Sequence, residues 1–113
     1  MIAALFLLLQ AQASEPIPAR CSLNNSSYDP CYVVVASDAP NRELGVGFFI
    51  EAGSILVSGQ QSSTSSFEVE SLDFGDIQDI PVLHGSYCNV VSKTITCVVK
   101  TPAVDFTVKA IAQ

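Results

Sequence analysis

The feature that most constrains this chain is a two-residue hydrophobic period that keeps restarting. Leu44, Val46, Phe48 and Ile50 alternate with Gly45, Gly47, Phe49 and Glu51. Phe67 and Val69 alternate with Ser66, Glu68 and Glu70, and Val104, Phe106 and Val108 alternate with Asp105, Thr107 and Lys109. Successive side chains of a strand point to opposite faces, so each run offers one face to a core. Cys31–Ala36 is apolar on both faces, as a central strand of a two-layer structure would be. Shorter runs at Ile55–Val57 and Ile80–Leu83 complete the set of expected strands, and no stretch past the N-terminal segment sustains a helical period. Turn signals at Asp38-Ala39-Pro40-Asn41, Ala52-Gly53, His84-Gly85 and Thr101-Pro102 interrupt the runs. Gly59–Ser66, rich in serine and glutamine, reads as a flexible loop. The pattern predicts an all-β fold, a small antiparallel β-sandwich or partly open barrel of about seven to eight short strands.

The stretch GSYCNVVSKTITCVVK, Gly85 to Lys100, carries two cysteines in what reads as one hairpin. With the turn centred between Ser92 and Lys93, Val91 opposes Thr94, Val90 opposes Ile95, Asn89 opposes Thr96 and Cys88 opposes Cys97. Cys88, Val90, Ile95, Cys97 and Val99 then share an apolar face, and Tyr87, Asn89, Thr94, Thr96 and Lys100 share the other. Ser-Lys is a poor type I′ turn, so a four-residue loop that keeps the same pairing is the alternative. A Cys88–Cys97 disulfide leaves Cys21–Cys31 as the second bridge. That bridge would brace the polar segment from Cys21 to Cys31 as a loop on an N-terminal arm, with Asn24, Asn25, Tyr28 and Asp29 as a candidate recognition loop and Tyr28 as its rigid contact. Asn24-Asn25-Ser26 and Asn25-Ser26-Ser27 also match the acceptor pattern for N-glycosylation.

Four cysteines, an even number in a small chain, suit an exported, oxidised protein. The N-terminus agrees. An apolar run from Ile2 to Leu9 precedes Ala11-Gln12-Ala13, which fits the small-x-small pattern of a signal peptidase site, although no Lys or Arg precedes the run. Residues 1–13 are expected to be a signal peptide cleaved after Ala13, leaving Ser14–Gln113 as one domain, secreted or periplasmic. The run is too short for the roughly twenty helical residues that cross a bilayer, so no membrane span is expected. Eleven acidic against five basic residues give a net charge of −6, which repels a phosphate backbone and argues against nucleic acid as a partner.

No catalytic or metal set stands out. The cysteine spacings do not form the short knuckles of structural zinc, and His84 is the chain's single histidine. Glu70, Asp73, Asp76 and Asp79 recur every third residue but do not follow the ligand positions of an EF-hand, and read as a solvated acidic turn. His84-Gly85-Ser86 places a histidine near a hydroxyl without a nucleophile-elbow pattern, so the histidine reads as a turn residue. No cofactor is implied. The expectation is a non-catalytic exported module that binds a macromolecule, either a protein or a surface component. A structural subunit assembling by strand exchange is the alternative, and a small hydrolase ranks behind both. Mass spectrometry of the non-reduced protein should therefore show no free thiol and a peptide joining Cys88 to Cys97; a peptide joining Cys31 to Cys88 would refute the pairing.

Overall fold

The computed structural model describes residues 11–38 and 42–113, with Ala11–Ala13 as backbone alone. Residues 1–10, which hold most of the expected signal peptide, and the expected turn at Ala39–Asn41 lie outside the described residues. The chain runs as β1 (Ala11–Ala13), β2 (Ile17–Leu23), β3 (Ser26–Asp38), β4 (Glu43–Ile50), β5 (Gly53–Ser63), β6 (Ser66–Phe74), β7 (Tyr87–Val91), β8 (Thr94–Lys100) and β9 (Asp105–Ala112). From β2 onward each strand pairs antiparallel with the next, and β9 returns to pair with β2 from Ala19↔Ala112 to Leu23↔Val108. The sheet is thus an up-and-down barrel of eight strands, β2–β9, closed where the sandwich expectation left it open. Closure needs the first and last barrel strands to pair, and strand alternation alone carries no signal for that. β1 lies outside the ring, on the edge of β3.

Eight strands leave an interior just wide enough for side chains to fill. Here it holds Phe48, Phe67, Leu72, Phe106, Val33, Val99 and Val108 together with both disulfides. The alternation read from β4 and β9 points as expected at Val46, Phe48, Phe106 and Val108, which are buried, but Val104 precedes β9 and is exposed. β6 changes parity midway, since Phe67, Val69 and Leu72 all face inward. A bulge accounts for this, because Ser58 opposes Ser71 while Gly59 opposes Val69, leaving Glu70 extra. The bulge brings backbones so close that a Cβ on Gly59 would collide with the Glu68 carbonyl.

Three local expectations change. Gly59–Ser66 is no loop: it ends β5 and begins β6, with a turn at 64–65. Ile80–Leu83 is not a strand but part of the connection 75–86, which covers one end of the barrel, Ile80 and Val82 packing on the core. Ser86, buried there, donates its hydroxyl to the Leu83 carbonyl (2.9 Å) and accepts from the Lys100 amide (2.8 Å). The segment from Cys21 to Cys31 is a hairpin rather than a braced loop. Asn24 and Asn25, at φ 49° and 75°, form its two-residue turn. Asparagine tolerates this left-handed pair, which matches the twist of the flanking strands.

The Cys88–Cys97 hairpin has the expected register from Tyr87↔Val98 to Val91↔Thr94, closed by a two-residue turn with Ser92 at φ 57°. Its cysteines lie 4.0 Å apart at Cα and are fully buried. Cys21 and Cys31, 5.9 Å apart at Cα, bridge β2 and β3 diagonally and are buried as well. Both bridges are core elements, so neither should be dispensable. Cys21→Ala/Cys31→Ala and Cys88→Ala/Cys97→Ala should each lower Tm by roughly 10–20 °C, the loop-closure term being about 2–3 kcal/mol for either ring. Melting both double mutants by circular dichroism tests this, and a drop of only a few degrees for the first pair would restore the peripheral-arm reading.

Candidate functional site

The expected recognition residues meet different surroundings. Asn24 extends the β2–β9 ladder: its amide donates to the Thr107 carbonyl (2.9 Å) and its Oδ1 accepts from the Thr107 amide (2.9 Å). Tyr28 is half-buried and packs against the core, turned inward by the irregularity between Ala19 and Cys21 that shifts the β2–β3 register. Asn25 and Asp29 are exposed. Ser22, Asn24, Asn25, Thr107 and Lys109 line a small polar depression of about 280 Å³ beside the turn.

The other residues singled out in the sequence are spread over the surface and the capped end. His84 is 96% exposed at its side chain and meets Glu68 at 4.0 Å, a surface pair of little energetic weight. The Ser86 hydroxyl next in sequence is buried, with the two backbone partners given above. In the acidic stretch, Asp73 Oδ1 accepts the Asp79 amide (2.9 Å) and so closes the turn that follows β6. Among the described residues no three His, Cys, Asp or Glu side chains gather as metal ligands.

A different surface stands out, on the outside of β3, β4 and β5. Paired registers align its outward residues in rows: Tyr32, Phe49 and Ser54; then Val34, Gly47 and Leu56; then Ala36, Gly45 and Ser58. Tyr32, Phe49 and Leu56 remain 45%, 40% and 38% exposed although they are large and apolar. Gly47 makes the arrangement possible, since a Cβ there would meet Leu56 Cδ2 and Phe49 Cε2 at 2.9 Å. With no side chain at 47, those two side chains fold over bare backbone. Pro16, Tyr32, Val34 and Phe49 line a shallow apolar depression of about 450 Å³, and a second of about 210 Å³ continues it across Gly45, Gly47 and Leu56.

Around this face stand carboxylates. Glu43 lies two residues from Gly45 on the same strand face, Glu51 is exposed beyond the end of β4, Glu15 precedes Pro16, and Asp73 opposes Leu56 across the β5–β6 ladder. Other parts of the outside are more polar: β6 presents Glu68 and Glu70, and β9 presents Asp105, Thr107 and Lys109. The apolar interior is the reverse of a transmembrane barrel's polar lumen. No helix among the described residues is long and apolar enough to cross a membrane.

The signal for this face was present in Cys31–Ala36. A strand apolar on both sides implies a cover on each, and a barrel wall has a core on one side only. Comparison with protein-family models, curated proteins and solved structures gave no match. The assignment of faces is testable by stability. Tyr32→Ser and Leu56→Ser should change unfolding free energy by less than about 1 kcal/mol, whereas Phe48→Ala, on the same wall but fully buried, should cost about 3–5 kcal/mol. Urea titration of the three variants reads the difference, and equal losses would place the apolar face inside.

Proposed function

We propose that the chain is an exported, non-catalytic module that binds a macromolecular partner, a protein or a surface component, on the outer face of β3–β5. One observation carries this: Tyr32, Phe49 and Leu56 stand exposed side by side over Gly47, an arrangement that costs solubility unless something covers it. Aromatic and aliphatic side chains held by a strand lose little freedom on binding, and a carboxylate rim favours the encounter with a basic partner. Export is supported by the two disulfides, which are compatible with an oxidising compartment, and by the signal-like N-terminal sequence. The non-catalytic reading is supported by the engagement of Ser86 in backbone bonds and by the solvent-exposed position of His84.

Assembly into a larger structure by strand exchange is the second reading. It is favoured by β1, a three-residue strand outside the barrel that occupies the edge of β3.

Immobilised protein presented with the medium or envelope fraction of its source should retain a partner, and Phe49→Glu should release it while leaving Tm unchanged. Retention unaffected by Phe49→Glu would move the binding site elsewhere. Hydrolase activity that disappears in His84→Ala would overturn the non-catalytic assignment.

A further inference from the structure

The N-terminal strand has an unusual place. β3 pairs with β2 only as far as Ile17↔Val33 and then continues to Asp38. On that extension one edge is held by β4, and the other is held by β1 through Ala13↔Ala36, Gln12↔Ser37 and Ala11↔Asp38. Between β1 and β2, Ser14 holds Val35 by half a ladder. Its amide donates to the Val35 carbonyl (2.8 Å), but the Val35 amide donates to the Ser14 hydroxyl (3.0 Å). Antiparallel pairs alternate between bonded and non-bonded positions, so with Val35 bonded the next bonded position on this edge is Ser37.

We propose that cleavage after Ala13 removes β1 and turns the Val35–Ser37 edge of β3 into a strand-addition site for an extended, basic segment of a partner protein. The proposal rests on the export reading above and specifies how the same face is used. Once β1 is gone, the amide and carbonyl of Ser37 have lost their strand partner, and among the described residues the one-residue hold of Ser14 on Val35 is the competitor that remains. An added strand antiparallel to β3 takes over both bonded positions. Its residues opposite Val34 and Ala36 project to the outside, where apolar side chains extend the Tyr32–Phe49–Leu56 face. Charge selects the remainder. Met1–Ala13 contain no charged side chain, so the cleaved chain keeps the full −6, and Glu15 and Glu43 border the site. Lys or Arg flanking an apolar alternation is therefore the complementary pattern.

The test compares Ser14–Gln113, which retains all eight barrel strands and both disulfides, with a chain that keeps Ala11–Ala13. The probe is the synthetic peptide acetyl-KVTVKVTK-amide, with acetyl-EVTVEVTE-amide as its acidic control. The basic peptide should bind Ser14–Gln113, slow exchange of the Ser37 amide, and lose at least about tenfold in affinity when Ala11–Ala13 are present or Phe49 is changed to Glu. The acidic peptide should bind more weakly than the basic one. Equal affinity for the two chains, or an unchanged Ser37 amide, would overturn the proposal. A Ser14–Gln113 dimer that protects Ser37 and is not dissolved by the peptide would overturn it in favour of a second copy as occupant. Sequencing the N-terminus of the exported protein separates the two layers: a chain still carrying Ala11–Ala13 sinks the processing step, whereas failure of Ser14–Gln113 to bind sinks strand addition itself.

Discussion

The β2–β9 ladder is the contact on which the rest of the structure depends. All other pairings in the barrel join neighbours in sequence, so each costs little loop-closure entropy and can form locally. The β2–β9 pairing joins the two ends of the domain. Without it, β2 and β9 would each present a free edge, and the inward side chains of an open eight-stranded sheet would have no second layer to cover them. Several devices secure it. Cys21, which opposes Ala110, is tied to Cys31, so β2 cannot leave β9 without pulling on β3. Asn24 adds its two bonds to Thr107 past the end of the ladder, and at the other end Gln113 donates its amide to the Pro18 carbonyl.

What sequence reasoning could reach follows from which signals are local. The register of β7 against β8 was legible because parity, a short turn and two cysteines all pointed to one pairing. β4 and β9 were legible because nothing interrupts their alternation. The β2–β3 hairpin was not, because a regular register from its turn would set Cys21 and Cys31 on opposite faces, and only the shift between Ala19 and Cys21 turns both inward. Asn24-Asn25 was its turn signal, obscured by the reading of the same residues as a polar loop. Ile80–Leu83 has the composition of a strand, but Pro81 removes a donor and Asp79 at φ 54° bends the entry, so the run caps the barrel instead. Barrel and sandwich share one alternation, and the choice between them lies in the nonlocal β2–β9 contact.

The candidate face was half visible for the same reason. Cys31–Ala36 announced two apolar sides, and in a sandwich both would be buried. Once the sheet closes, its inward residues Cys31, Val33 and Val35 meet the core while Tyr32, Val34 and Ala36 are left outside. Curvature and the exposed apolar face thus draw on the same strands. Gly59 admits the bulge in β5–β6, and Gly47 lets Phe49 and Leu56 lie across the backbone. An alanine at either position would bring a Cβ against something already there: backbone at Gly59, the two side chains at Gly47.

The two ends of the barrel differ in a way that fits this division of labour. One end is sealed by the 75–86 connection, with Ile80 and Val82 on the core and Ser86 tying the connection to β8. At the other, β3 runs past the start of β2 and the wall ends unevenly, with β4 on one side of the extension and, among the described residues, β1 on the other. Closure joins distant parts of the chain, whereas the disulfides and the capped end tie together neighbouring strands. The edge of the extension lies beyond the β2–β3 ladder, which stops at Ile17↔Val33, so the pairing there is separate from the closure contacts of β2 and β9. A strand edge beside an apolar face is a hazard in a monomer. Under the proposed processing, β1 would cover it until export and a partner afterwards, which would limit its exposure to the interval between the two.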